Sequence, residues 1–281
     1  MAYPEVPLWL DLARLARDFA VSGAAALRSR PDLAGVERHC LFIGAPRNGH
    51  SLIGALLDAH PQMVVAHELG VPRYLAARFS RRQVLCLLAA NARREAARGR
   101  RHIHYSHAVP GQWQGRYRDL RVIGDKHGEG FLLSVQARPW LTAAVLERFA
   151  PAYFIHVVRN PYDALASVAT SSKRGQSPER AIAYFEGLYR TLEQVRGQVA
   201  PERLFLLRFE QFLDAPRERL AETCAYLGVD APADYLDACA AIVLTRPEDQ
   251  RNLVQWDEAA RRRVDDLIAR HDFLTGYRFH D

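Results

Sequence analysis

The sequence predicts an α/β protein of three layers, a mostly parallel sheet flanked by helices. Three observations carry this expectation. Short apolar, β-prone runs alternate with stretches of helical period, the pattern of a parallel sheet covered on both faces. The run Leu41 to Ile43 passes through a Gly/Pro/Asn turn into Leu52, Ile53, Leu56 and Leu57 at helical spacing, a strand–loop–helix unit. The chain of 281 residues is 49% apolar, enough to bury a large core.

Taken in order, residues 8–28 alternate Leu8, Leu10, Leu12 and Leu15 with charges, which predicts one or two amphipathic helices closed by Arg30-Pro31-Asp32. The first core strand and its loop occupy 40–51, and a helix runs to about Asp58. Met63 to Ala66 form a short strand ending in His67 and Glu68. Residues 72–99 are helical in pattern and basic, with Arg81-Arg82 and Arg93-Arg94 on a solvated face. A strand over 120–124 precedes Asp125-Lys126-His127-Gly128, and a helix near 139–149 leads into the strand 153–158. Helix is expected from Asp163, over 178–197 and over 216–227, where Gly228 closes it. A strand covers 204–209, and a last helix reaches about His271. Without repeats or a linker, 1–281 reads as a single domain with 1–38 as an N-terminal helical extension.

Bulk properties exclude several classes. No uncharged apolar span of 18 residues exists, so no membrane span is expected. The N-terminus lacks a basic region and carries Glu5 and Asp11 early, unlike a secretory signal. Cys40, Cys86, Cys224 and Cys239 show no paired spacing, which suits a reducing, cytoplasmic setting. The net charge of +6 is compatible with nucleic acid, but it is spread along the chain rather than gathered in a tract; a small polyanionic ligand explains it as easily, and no nucleic-acid partner is expected. Two of the 38 Lys and Arg residues are Lys, at 126 and 173, so a Lys within a motif stands out. His102, His104 and His107 have metal-like spacing but no fourth ligand, and no metal is expected. Tyr105 and Trp113 are candidate pocket walls.

The spacing Gly44-x4-Gly49-x-Ser51 is that of the phosphate-binding loop of nucleotide-hydrolysing proteins, with His50 where that loop has Lys and a cation inside it as Arg47. This suits one phosphate-like group; a plain tight turn is the alternative. In a parallel sheet, ligands bind beyond the carboxyl ends of the strands, where Arg47 to Ser51, Glu68, Asp125 to His127 and Arg159 to Asp163 all fall. Arg159 stands where a magnesium-binding Asp would be needed, and it calls for an anion.

Pro46 to Leu52 resembles the 5′-phosphosulfate loop of sulfotransferases, Pro-(Lys/Arg)-Ser-Gly-Thr-Thr, with Asn-Gly-His-Ser in place of the commonest version. Leu57-Asp58-Ala59-His60-Pro61 resembles the segment after that loop in many bacterial, Golgi and tyrosylprotein members. Arg159-Asn160-Pro161 with Ser167 eight residues after the Arg resembles the 3′-phosphate motif of the same family. Arg208 to Gln211 is similar to its adenine-contacting segment, and Arg246 to Trp256 to the segment that closes over the nucleotide.

The resemblance implies a P-loop-like sulfotransferase fold and 3′-phosphoadenosine 5′-phosphosulfate as donor, with adenosine 3′,5′-bisphosphate as product and no metal. Donor contacts fall on Arg47, Asn48, Gly49, His50, Ser51, Leu52, Arg159, Ser167, Phe209 and Arg251 or Arg246. Catalytic roles fall on Arg47 and Lys126 as cations at the leaving oxygen. The base is Glu68, seven residues after Pro61, or His127, with His67 third. A small-molecule or glycan hydroxyl or amine is the expected acceptor, a peptide less so, with 72–118 as the acceptor-side cap. Two other classes stay open, a kinase-like phosphoryl transferase and a nucleotide-binding module without turnover.

Overall fold

A computed structural model describes residues 8–28, 33–100, 106–171, 177–244 and 250–280, with the side chains of 8–10 and 28 left aside. Arg246, His102, His104, Tyr105 and the expected Arg30-Pro31-Asp32 stop lie outside these residues. Five parallel strands, β1 (Arg38–Ile43), β2 (Met63–His67), β3 (Val122–Lys126), β4 (Ala152–Val158) and β5 (Leu204–Arg208), pair in the order β2-β3-β1-β4-β5. The first strand therefore stands at the centre, and the loop after it opens at the middle of the carboxyl edge.

Successive side chains of β1 point to opposite faces, so Leu41 and Ile43 enter one core and Cys40 and Phe42 the other. Over the first core lie α3 (Val71–Ala76), α4 (Arg81–Ala97), α5 (Gly128–Ala137), α6 (Leu141–Arg148), α7 (Pro161–Ala169), α8 (Pro178–Arg196) and α12 (Glu258–Arg270). Over the second lie α2 (His50–Leu57), α10 (Pro216–Tyr226) and α11 (Ala233–Ala240), with the short α9 (Phe209–Asp214) leading into them. The expected three layers are present. The N-terminal α1 (Leu8–Arg28) is one helix, laid against α4.

Three expectations shift. The strand expected at 120–124 lies at Val122–Lys126, because Arg121 is held in the preceding loop by Glu37 and Gln62 backbone groups. Asp125 and Lys126 are thus within the strand. The helical stretch 72–99 breaks at Arg78, whose φ is +62°, and restarts at Ser80, which forms a capping box with Gln83. Finally, α5 fills a stretch in which no helix was expected, because Gly128 and Gly130 lower helix propensity. Both glycines make room for rings: a Cβ would stand 2.7 Å from His50 Nε2 at 128 and 2.0 Å from His127 Nε2 at 130.

Candidate active site

The loop 44–49 needs left-handed backbone at Gly44, Arg47 and Gly49, with φ of 138°, 67° and 88°. Arg47 and Glu68, with φ of 52° at the latter, are non-glycine residues held in this sparsely populated region after β1 and β2, the two strands that flank β3. Such local strain persists only where the surroundings enforce it, and it clusters at functional sites. Asn48 Nδ2 donates to the Val157 carbonyl at 3.1 Å, pinning the loop to β4. Gly49 caps α2, and a Cβ there would lie 2.2 Å from the Phe209 ring. We expect Gly49→Ala to lower stability by about 1–3 kcal/mol, the usual range for overpacking, in urea unfolding.

The residue that replaces the usual loop lysine does not face outward. His50 is buried and contacts the Ile43 carbonyl through Nε2 at 3.3 Å. Burial, reinforced by the Lys126 charge, pushes its pKa down to about 4, so the ring is neutral. His50 is therefore packing beneath the loop, and its backbone remains available at the helix start.

Besides Arg47 within the loop, a second cation reaches it from β3. Lys126 Nζ donates to Ser51 Oγ at 3.0 Å and to Glu68 Oε1 at 2.8 Å, tying β3, α2 and the end of β2 together. Its stem crosses α2 at Gly54, where a Cβ would approach Lys126 Cγ to 2.7 Å. The Lys126 side chain is 3% exposed and that of Glu68 55%, so the carboxylate forms the wet side of the pair. Burial pushes Lys126 below the ordinary ammonium value, and Glu68 opposes that shift. Burial raises Glu68, but the charge and hydrogen bond of Lys126, with His127 and His67, outweigh it and hold the carboxyl at about 2.

Asp125 positions this pair. Its carboxylate accepts the backbone N–H groups of Leu69, Gly70 and Val71 at 3.0, 2.8 and 3.1 Å, folding the turn after Glu68 onto β3. Its place beside Lys126 and His127 is plain in the sequence; its cap on a turn 55 residues earlier is not. His127 is set between Gly70 and Gly130, and its Nδ1 is buried without a hydrogen-bond partner.

The second motif lies one strand over, after β4. Ser167 Oγ accepts Arg47 Nε at 2.7 Å, so the two phosphate-type motifs touch. Arg159 is nearly buried, with its guanidinium 5.9 Å from the Phe209 ring centre. Asn160 caps α7 through Tyr162 N at 3.1 Å, while its Nδ2 donates to the Arg278 carbonyl at 2.8 Å. Phe209 sits half-buried at the start of α9, over Gly49 and beside Arg159.

Two sequence expectations change place. Arg251 forks onto Asp163, with Nε to Oδ1 at 3.0 Å and Nη2 to Oδ2 at 2.6 Å, and its Nη1 donates to the Phe279 carbonyl at 2.7 Å. Its guanidinium is thereby committed to the join between α7 and the C-terminal segment rather than turned to the loops. Trp113 hydrogen-bonds through its backbone to Ala59, beyond the end of α2 that is far from the loop, so it does not wall the site. Of the 72–118 stretch, α3, which begins three residues after Glu68, and α4, whose Asn91 hydrogen-bonds the His67 backbone, lie beside this strand end.

A five-stranded parallel sheet flanked by helices, with a glycine-bounded loop after its central strand and Lys126 and Arg159 at the strand ends on either side, is a P-loop-like fold. The chain belongs to the sulfotransferase family, whose model matches residues 41–233. Two relatives, the omega-hydroxy-beta-dihydromenaquinone-9 sulfotransferases of Mycobacterium bovis and Mycobacterium tuberculosis, are each 28% identical over 134 residues. That match covers 43% of this chain and 34% of each relative, so the chain spans about a third of their length. Among solved structures, the sulfotransferase domain of the Synechococcus PCC 7002 olefin synthase is 18% identical with a TM-score of 0.55, covering 85% of this chain and 96% of that one. The sulfotransferase STF1 of Mycobacterium tuberculosis is 11% identical with a TM-score of 0.51, covering 88% and 81%. These likenesses show the fold.

Proposed function

We propose that the protein moves a sulfuryl group from 3′-phosphoadenosine 5′-phosphosulfate to an acceptor hydroxyl or amine by in-line displacement. The observation that carries this reading is the contact between Arg47 and Ser167, which sets the two phosphate-type motifs side by side. Arg47, the backbone N–H groups of 48–52 and Ser51 take the 5′ end of the donor. Arg159 and Ser167 take the 3′-phosphate, through a guanidinium and a hydroxyl. Phe209 stacks on the adenine.

In the reaction, the acceptor oxygen bonds to sulfur as the bond from sulfur to the bridging oxygen breaks. The leaving electron pair stays on that oxygen, and Arg47 and Lys126 stabilise the charge. The acceptor proton passes to Glu68, the carboxylate on the wet side of the pair and at the distance from Pro61 found in the tyrosylprotein-type arrangement. The hydroxyl in the relatives' named substrate, and the position of α3 beside Glu68, support a small-molecule alcohol as acceptor with α3 as the acceptor-side wall. No metal is assigned a role.

Calorimetry with adenosine 3′,5′-bisphosphate, ADP and ATP tests the donor. We expect a clear preference for the 3′-phosphorylated ligand, weakened roughly tenfold to a hundredfold in Arg159→Ala by loss of a charge-assisted contact. Equal or tighter binding of ADP and ATP would move the phosphoryl-transferase reading to the front.

A further inference from the structure

The N-terminal helix leaves much of its apolar surface facing outward. A surface helix ordinarily turns its apolar stripe to the core and its polar side to water. Among the described residues of α1 the fully buried ones are polar, Asp18 and Ser22, beside Leu15 packed on the core and the Phe19 ring against Phe79: Asp18 accepts the Tyr74 hydroxyl at 2.8 Å, and the Phe19 carbonyl accepts Gln83 Nε2 at 3.3 Å. The outward side carries Leu12, Ala16, Ala20, Ala24 and Leu27, a continuous row at helical spacing, all exposed. Leu27 is 90% exposed, Val21 60% and Leu12 57%. Arg14 and Arg17 edge this face and stay largely in solvent, reaching Asp18 only at 3.9 and 3.7 Å.

The helix also has a fixed place relative to the site. Near its start Asp11 is paired with Arg73 of α3, and α3 begins at the turn that comes after Glu68. The row therefore runs away from the acceptor side of the site along one flank of the molecule.

We propose that α1 is an interfacial helix that seats the protein on an anionic lipid bilayer, so that acceptors held in the bilayer reach Glu68 from its surface. An exposed apolar face about 22 Å long, bordered by guanidinium groups, has the chemistry of a helix lying at the headgroup boundary. The arginines select anionic lipid, and the leucines supply the apolar area removed from water. The substrate class, an amphiphilic alcohol, rests on the sulfotransferase reading above; the surface itself does not.

Flotation of the full chain with vesicles tests it. Wild type is expected to float with phosphatidylcholine vesicles containing phosphatidylglycerol, less with phosphatidylcholine alone, and less at high salt. The double variant Leu12→Ser/Leu27→Ser is expected to lower the bound fraction by roughly tenfold or more, because both side chains lose their apolar contact. Its melting temperature and its affinity for adenosine 3′,5′-bisphosphate should not change, and Arg17→Glu should weaken binding to anionic vesicles selectively. Wild type that stays in the aqueous layer, or a double variant that floats equally well, overturns the proposal. A wild-type dimer that the double variant turns into a monomer, without flotation, gives the face to a second copy instead. Bisphosphate titration of the same samples reports on the donor site separately, so failure of one reading is distinguishable from failure of the other.

Discussion

Glu68→Gln is expected to lower kcat by roughly a hundredfold to ten-thousandfold, the usual worth of a positioned general base, with little change in bisphosphate affinity. The assay uses an alcohol or phenol that wild type turns over. The glutamine keeps the size and one acceptor oxygen for Lys126, so the fold and the loop contact at Ser51 should persist. The pH response has a definite sign. With its carboxyl held at about 2, wild-type Glu68 is ionised throughout the range in which the protein can be assayed, so it contributes no acid limb near neutrality. Burial lowers the Lys126 pKa and Glu68 raises it, so removing the carboxylate lets that pKa fall further. If the charged ammonium holds the donor, the alkaline limb of bisphosphate binding moves to lower pH in Glu68→Gln. Unchanged kcat in the variant would remove Glu68 as the base and leave His127, whose Nδ1 lacks a partner, to be tested by His127→Ala.

Arg251→Ala is expected to cost about 3–5 kcal/mol of stability in urea unfolding, the cost of leaving one member of a buried pair behind. Asp163 is 2% exposed at its side chain and would lose three of its hydrogen bonds at once if the 250–253 turn also loosened. The Phe279 carbonyl would lose its Arg251 donor as well, while the Arg278 carbonyl would keep Asn160 Nδ2. The conservative Arg251→Lys should recover only part, since an ammonium cannot reproduce the fork. Because Asp163 lies in the first turn of α7, four residues after Arg159, a looser α7 should also weaken bisphosphate binding, by less than Arg159→Ala does. Bisphosphate affinity falling as far as in Arg159→Ala, with stability untouched, would instead make Arg251 a donor contact.

The readable part of this protein is whatever its local sequence enforces. Apolar runs such as 153–158 locate the strands, and the Gly, Pro and Asn residues between Gly44 and Gly49 locate the loop, because both signals act over a few residues. Long-range partners are not readable. Asp125 caps a turn 55 residues earlier, and Arg251 meets Asp163 from 88 residues away. The glycines of α5 argue against helix until the rings of His50 and His127 are seen against them. For α1, the amphipathic pattern is plain but the face meeting the protein is not, since periodicity gives a stripe and tertiary contacts decide where it points. His50 shows the same limit: its position in the loop is clear, its inward direction is not.

An ammonium group has three protons, and in Lys126 two are taken by Ser51 and Glu68. The third is the one left for a sulfuryl oxygen on the proposed donor. The charge that holds the Glu68 carboxyl low would be shared with the bound donor in the proposed reaction, so the basicity of Glu68 is expected to rise when the donor is in place. Timing of this kind needs no moving segment: sharing one cation between an exposed carboxylate and a bound anion would make the proposed base respond to the donor.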